Sequence, residues 1–495
     1  MSEFDGNKIK GQGASRVAIS GMAWTFLERI SAQLVTFVVS IVLARLLSPD
    51  EYAVIAIVLI FVTIADIFVT AGFGSALVQK LDVDNLDFST TFYFSLVFSL
   101  IIYVVLFFCA PAIANFYEMD ELTLVIRIMS VRVIFASINS VQQAYVSRKL
   151  EFRKFFYSTL IGAIISAVVG ILMAYMGYGV WALVAQYLVN VIISTGILSV
   201  ISGWRPEWVF SMERMKGLFS FGWKVMAASV FHTLGMQARS LVLGKLASPR
   251  ELSFYNQGEK FPLLFINNIE TSIQKVMAPI LSTEQKNMER VKDLTRKSMR
   301  VATFTIWPLL IGMAALAETL IELLFTTKWM GSVPYLKLIC IAYMFYPVGE
   351  THVRTIRALG RSDITMRTIF EAETLNIIFL VAAILFHCDG KGIVVTWIAS
   401  SIVMAIVNGI ADRKMIGYGL REQTKDLLFT GISVVVMYFA VNALAAIQIN
   451  LFVKIIIQII TGTLIYIGMS YMINRATLKY VLGAGASYIS KLKKK

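Results

Sequence analysis

The chain has 495 residues, 57% of them hydrophobic and only 15% charged, with a formal net charge of +14 and a mean hydropathy of +0.73. A soluble domain carries about 45–50% apolar and about 25% charged residues, so the composition excludes an ordinary soluble fold and points to lipid as the solvent. The positive charge invites a nucleic-acid reading, but Lys and Arg sit mostly in short breaks between apolar runs, as the positive-inside rule describes, and no nucleic-acid partner is expected.

A membrane helix needs about 20 mostly apolar residues. Fourteen such stretches are predicted, at 18–47, 52–79, 88–114, 122–147, 153–176, 179–202, 215–246, 252–281, 299–325, 334–358, 364–387, 391–415, 426–446 and 451–473. Met1 to Gln12 is polar and weakly basic, unlike a cleavable signal peptide, so span 1 is expected to stay in place with the N-terminus in the cytoplasm. Span 1 carries Glu28 and Arg29, and span 2 carries Asp66 before ending in Gly72 and Gly74, whose expected role is close helix packing. The break that follows holds Lys80, Asp82, Asp84 and Asp87, and the next one Glu118, Asp120 and Glu121. Span 4 carries Arg127 and Arg132 and is followed by a basic break with Arg148, Lys149, Arg153 and Lys154. Spans 5 and 6 are separated by an uncharged turn.

Span 7 carries Lys224, His232 and Arg239, and span 8 carries Glu259, Lys260, Glu270 and Lys275. Asn256, Lys260, Asn267 and Gln274 fall at helical spacing on one face of span 8. A basic break with Lys286, Arg290, Lys292, Arg296 and Lys297 leads to span 9. Span 10 carries Glu350, His352, Arg354 and Arg357 and is followed by Arg361 and Arg367. Arg413, Lys414, Arg421 and Lys425 follow span 12, and Lys491, Lys493, Lys494 and Lys495 close the tail. This alternation places the even-numbered breaks and both termini inside.

An internal repeat organises these spans. Residues 42–51 read VLARLLSPDE and residues 242–251 read VLGKLASPRE. In each copy a Ser-Pro pair is expected to cap and start the next helix. The copies are an even number of spans apart, so the halves are parallel repeats about an axis along the membrane normal. The expected fold is all-α, with one six-helix lobe at 1–203, a second at 214–418, two further helices within 424–475 and a basic cytoplasmic tail at 476–495.

An ionisable group in the bilayer costs at least about 2.5–3.5 kcal/mol on insertion scales, so it usually faces a cavity or a partner. Arg29, Lys224, Lys260, Arg132 and Arg354 are the candidate cations for an anionic headgroup, since a guanidinium donates two hydrogen bonds at once to a phosphate. Glu28, Asp66, Glu259 and Glu350 are candidate counter-ions or a site for H⁺ or Na⁺. Asn256, Asn267 and Gln274 would complete a polar cavity face. Arg239, Lys275 and Arg357 lie close enough to helix ends to snorkel.

No phosphate loop, HExxH or GxSxG occurs, and no soluble segment is long enough for an ATP-hydrolysing domain. Asp82 and Asp84 have the DxD form of a glycosyltransferase metal site, but two carboxylates at this spacing are ordinary in solvated loops. Cys109, Cys340 and Cys388 are isolated and are read as buried free thiols. No cofactor, metal site or catalytic residue is expected.

Residues 19–79 resemble the opening of Wzx-type polysaccharide flippases of the teichuronic- and colanic-acid exporter branch. The resemblance is carried by Ala44-Arg45-Leu46-Leu47-Ser48-Pro49, Tyr52 and Gly72-Phe73-Gly74, and again by Ser248-Pro249 with Phe254-Tyr255-Asn256. It implies the superfamily of multidrug, oligosaccharidyl-lipid and polysaccharide exporters, which includes lipid II flippases, with two six-helix lobes forming a V and alternating access. It also implies a polyprenyl diphosphate-linked oligosaccharide as cargo, surrounding membrane lipids, and polymerase and glycosyltransferases of the same pathway as partners. In lipid II flippases arginines of the first and eighth helices line the cavity; Arg29 and Lys260 lie in comparable regions. The rival on the same fold is a cation-coupled exporter of drugs, against which a cationic cleft argues. A polymerase would need large outer loops that this chain lacks.

Overall fold

The computed structural model describes residues 12–80 and 82–483. Among these there is no strand, as expected where hydrocarbon forces every backbone N–H and C=O to find an internal partner. The chain divides into two compact units, Met1–Ser253 and Phe254–Lys495.

The first unit holds α1 (Gln12–Leu46), α2 (Pro49–Thr70), α3 (Phe73–Gln79), α4 (Asn85–Tyr117), α5 (Glu121–Met129), α6 (Val131–Arg148), α7 (Arg153–Tyr175), α8 (Val180–Ser202), α9 (Met212–Val242) and the start of α10 (Pro249–Thr283). The second holds the rest of α10, α11 (Met288–Ala315), α12 (Ala317–Phe325), α13 (Ser332–Tyr343), α14 (Tyr346–Ala358), α15 (Ser362–Leu385), α16 (Gly390–Ile416), α17 (Leu420–Ala443) and α18 (Leu451–Ile473). From residue 484 onward the basic tail lies outside the described residues.

Twelve segments among the described residues are long and apolar enough to cross a membrane. Of the fourteen expected spans, 7 and 8 are the two that do not qualify. They form α9 and α10, continuous helices of 31 and 35 residues, too polar by composition rather than too short. Spans 2, 4, 9 and 10 each break into two helices, at Ala71–Gly72, at Ser130, at Leu316 and at Met344–Phe345. Span 9 needs correction: its helix starts at Met288, because Asn287 accepts a hydrogen bond from the Arg290 N–H at 3.0 Å and caps it. Arg290, Lys292, Arg296 and Lys297 therefore stand on a helix and not in a loop. Cys109 is also corrected, being exposed on α4, whereas Cys340 is buried and Cys388 half-buried.

Both copies of the sequence repeat cap as expected. Ser48 Oγ accepts from the Glu51 N–H at 3.3 Å while Glu51 accepts from the Ser48 N–H at 2.6 Å, a reciprocal capping box. Ser248 Oγ accepts from the Glu251 N–H at 3.1 Å. The likeness continues further along the chain. Asn190 on α8 donates to Ser166 on α7 at 3.3 Å, and Ser400 on α16 donates to Asn376 on α15 at 2.8 Å. Residues 166 and 190 map to 376 and 400, each 210 further on. The same part-buried polar pair thus recurs with its two residue types exchanged.

Small residues set the closest packing. A Cβ at Gly72 would lie 2.5 Å from the Gly222 carbonyl oxygen, so α9 seats its backbone on the α2–α3 break. On the basic flank, Arg148 donates to the Val78 carbonyl at 3.0 Å, to that of Leu77 at 3.2 Å and to that of Lys80, closing the end of α3. In the second unit Asp426 of α17 accepts from Arg296 at 2.8 and 2.9 Å, from Tyr418 at 2.8 Å and from Arg300, and so ties α17 to α11. Burial, followed by the Asp426 charge, holds the Tyr418 phenol above its ordinary range, which keeps it a donor.

Candidate functional site

The charges expected from the sequence fall into two groups, those held inside a bundle and those left open. On the first unit, Glu28 of α1 is half-buried and accepts from Thr159 of α7 at 3.1 Å. Arg29, next to it, is exposed. Asp66 of α2 accepts from Arg132 Nε of α6 at 3.0 Å, and its Oδ1 is buried without a partner. The two side chains are 16% and 30% exposed, so this pair is reachable from outside the bundle. Lys224 is exposed on α9, on the same helix as Phe219, whose ring stacks on Phe73.

On the second unit, Arg354 of α14 donates to Glu270 of α10 at 2.6 Å and to Ser298 of α11 at 3.1 Å. Arg354 and Glu270 are only 5% and 8% exposed. The structure therefore joins Arg354 to Glu270, 84 residues away, and not to Glu350, its neighbour one turn back, which is half-buried. Glu259 accepts from the Tyr343 hydroxyl at 2.8 Å and the Tyr255 hydroxyl at 3.2 Å. Beside it Lys260 is exposed, as are Asn267 and Gln274, while Asn256 is half-buried.

This polar row on α10 is an open helix face. On a helix long enough to cross the bilayer, amides and an ammonium facing hydrocarbon would leave their hydrogen-bonding groups unsatisfied at several kcal/mol each. Such a face belongs against water. An ammonium and three carboxamides can receive a polar, negatively charged headgroup. Among the described residues no group of three or more His, Cys, Asp or Glu side chains is arranged to hold a metal. Sequence reasoning did not single out Asp412 or Asp426; each has its partner on a different helix, at a sequence distance that periodicity does not register.

The polysaccharide biosynthesis protein family profile matches residues 42–334, more than half of the chain. The chain belongs to this family. Similar relatives include the succinoglycan biosynthesis transport protein ExoT of Rhizobium meliloti (strain 1021), 22% identical over 483 residues that cover 94% of this chain and 95% of the relative. The teichuronic acid biosynthesis protein TuaB of Bacillus subtilis (strain 168) is 22% identical over 81% of this chain and 83% of its own length. The lipopolysaccharide biosynthesis protein WzxC of Escherichia coli (strain K12) is 20% identical, with 70% and 71% covered. Among solved structures, the lipid II flippase MurJ in an inward closed conformation aligns with a TM-score of 0.72 at 16% identity, over 93% of this chain and 100% of that one. An inward-facing multidrug resistance MATE family transporter of the MOP superfamily gives 0.59 at 14% identity, over 79% and 94%. The family and fold expected from residues 19–79 are those found: an all-α, multi-pass membrane protein of the polysaccharide biosynthesis family.

Proposed function

We propose that this protein is a transporter, not an enzyme, that moves a polyprenyl diphosphate-linked oligosaccharide from the inner to the outer leaflet of the bacterial cytoplasmic membrane by alternating access. The observation that carries the reading is the open polar face of α10, with Lys260, Asn267 and Gln274 exposed on one of the two long helices too polar to count as simple spans. Family membership and relatives named for the biosynthesis and transport of surface polysaccharides support the cargo class.

In this reading Arg29, Lys224 and Lys260, all exposed, receive the diphosphate, while Asn256, Asn267 and Gln274 hydrogen-bond the sugar. Arg132 and Arg354, committed to Asp66 and Glu270, hold their own bundles. The prenyl chain stays in lipid. Export of an anion across an inside-negative membrane is favoured by about 2.3 kcal/mol per elementary charge per 100 mV, so no nucleotide-hydrolysing domain is required. Both termini lie in the cytoplasm, and the polymerase and glycosyltransferases of the same pathway work alongside.

The test is a deletion strain complemented with Arg29→Ala, Lys224→Ala or Lys260→Ala. The expected result is loss of surface polysaccharide and accumulation of the lipid-linked precursor, with the protein still in the membrane. Normal polymer from all three variants would overturn the assignment. A deletion strain that gains drug sensitivity while keeping its polysaccharide would establish the rival exporter of small molecules.

A further inference from the structure

The repeat that places Ser166–Asn190 over Asn376–Ser400 also aligns a second pair of hydrogen-bonded side chains. In the first unit Ser202 of α8 donates to Gln142 of α6 at 2.7 Å. In the second, His352 Nδ1 of α14 lies 2.5 Å from Asp412 Oδ2 of α16. Residues 142 and 202 map to 352 and 412, again 210 further on. The residue one turn before Ser202, Leu198, is apolar and 1% exposed; its counterpart one turn before Asp412 is Asn408, 2% exposed. A neutral Gln–Leu–Ser arrangement in one unit is thus a His–Asn–Asp arrangement in the other, on the same helix pair and at the same register.

The difference is chemical rather than steric. His352 and Asp412 are both wholly buried. His352 Nε2, Asp412 Oδ1 and Asn408 Oδ1 are all buried with no hydrogen-bond partner. With Nδ1 donating to the carboxylate, Nε2 is a bare acceptor, so three acceptor atoms on α14 and α16 are buried without a donor. With a neutral ring the cluster carries one negative charge; with one added proton it carries none. A buried unpaired charge is strongly disfavoured, and one proton removes it. Imidazole is also the side chain whose ordinary titration falls between about pH 5 and 8.

Most of the surrounding charges are paired with one another, and Arg357 of α14 is exposed. α14 packs on α11, α13, α15 and α16, and α16 packs also on α17. From α11, Arg296 and Arg300 are bound to Asp426 of α17, and Lys292 to Glu422. On α13, Lys337 is bound to Glu318. On α14 itself Arg354 is held by Glu270, with Glu350 half-buried one turn away from it. α15 brings the buried Glu373, which has an interaction of its own, and Arg367 paired with Glu371. Arg413, next to Asp412, is exposed and packs against Gly419.

We infer that His352, Asn408 and Asp412 form a proton-binding site in the second unit, and that its proton is the coupling ion of transport. Of the four carboxylates that the sequence suggests for this role, Glu28, Asp66 and Glu259 are already hydrogen-bonded, and Glu350 is half-buried on the same helix as His352. The coupling part rests on the transporter reading; the proton site itself does not.

The protein has three histidines, so selective ¹⁵N-histidine labelling of the full chain in phospholipid nanodiscs gives a spectrum that His352→Gln assigns. The expected result is that the His352 ring signals report a change of protonation within the pH range over which the protein stays folded, and that Asp412→Asn displaces that change. A His352 ring fixed in one state across that range, or a titration indifferent to Asp412→Asn, would overturn the site. The second measurement uses His352→Gln with Asp412→Ser, which writes the first unit's own pair into the second and so keeps a geometry the fold already accommodates. In the complemented strain, nigericin, which collapses the pH gradient and spares the potential, is expected to reduce wild-type polysaccharide output, with this sensitivity lost in the double variant. Equal sensitivity in both, or none in wild type, would overturn the coupling. A wild-type protein that restores no polymer would instead overturn the transporter reading and with it the coupling, leaving the labelled-histidine titration to decide the site.

Discussion

Each unit has an arginine–carboxylate pair that joins two of its helices, Arg132–Asp66 in the first and Arg354–Glu270 in the second, and these two differ in how they are enclosed. Arg132–Asp66 makes a 3.0 Å contact with the side chains 30% and 16% exposed. Arg354–Glu270 makes a 2.6 Å contact at 5% and 8% exposure, with a further bond from Arg354 to Ser298. The first pair can exchange its partner for water or an anion. The second cannot without opening the contacts among α10, α11 and α14. Two similar pairs of residues therefore join helices at an accessible place in one case and at an enclosed one in the other.

The largest expected effect comes from breaking the enclosed pair. Arg354→Ala leaves Glu270 buried without its cation and should destabilise the fold by about 3–5 kcal/mol, seen as loss of folded protein from the membrane. Adding Glu270→Leu should restore most of it, because the orphaned charge is then gone. If Arg132→Ala proves as damaging, the contrast between the pairs fails. Next in size is Gly72→Ala, whose new methyl group meets the Gly222 carbonyl and should cost about 1–3 kcal/mol in detergent unfolding. The residue 200 further on, Ser272, is exposed, and Ser272→Ala should change little. Arg132→Ala itself should cost about 1 kcal/mol or less, as partly exposed pairs do, leaving protein abundance near normal. The smallest effect is a pH dependence. The hydrogen bond and charge of Lys245 hold the exposed Glu118 carboxyl below its ordinary range. The pair's contribution is therefore present above about pH 4.3 and lost as pH falls through the lowered value. Lys245→Gln should remove that acid-side loss from an unfolding profile taken at falling pH.

Much of this was legible in the sequence. The apolar runs became helices because the interior of a bilayer offers the backbone no other partner. The Ser-Pro repeat predicted two helix starts, and both Ser48 and Ser248 cap as the spacing required. The polar row of span 8 appeared on one face of α10. The reading failed at span 9, where basic residues looked like a loop but Asn287 starts a helix before them. Nor could it reach the Arg354–Glu270 pair, because helical spacing identifies neighbours within one helix and is silent about another.

The sequence by itself determined the membrane setting, the helices, the duplicated plan and the family, since each follows from local composition, periodicity or direct comparison of the chain with itself and with others. Only the tertiary structure decided which charges are open and which are enclosed, and that His352 meets Asp412 where the first unit has Gln142 and Ser202. Both pairs join residues 60 apart on different helices, and such contacts are made by packing, which has no period along the chain.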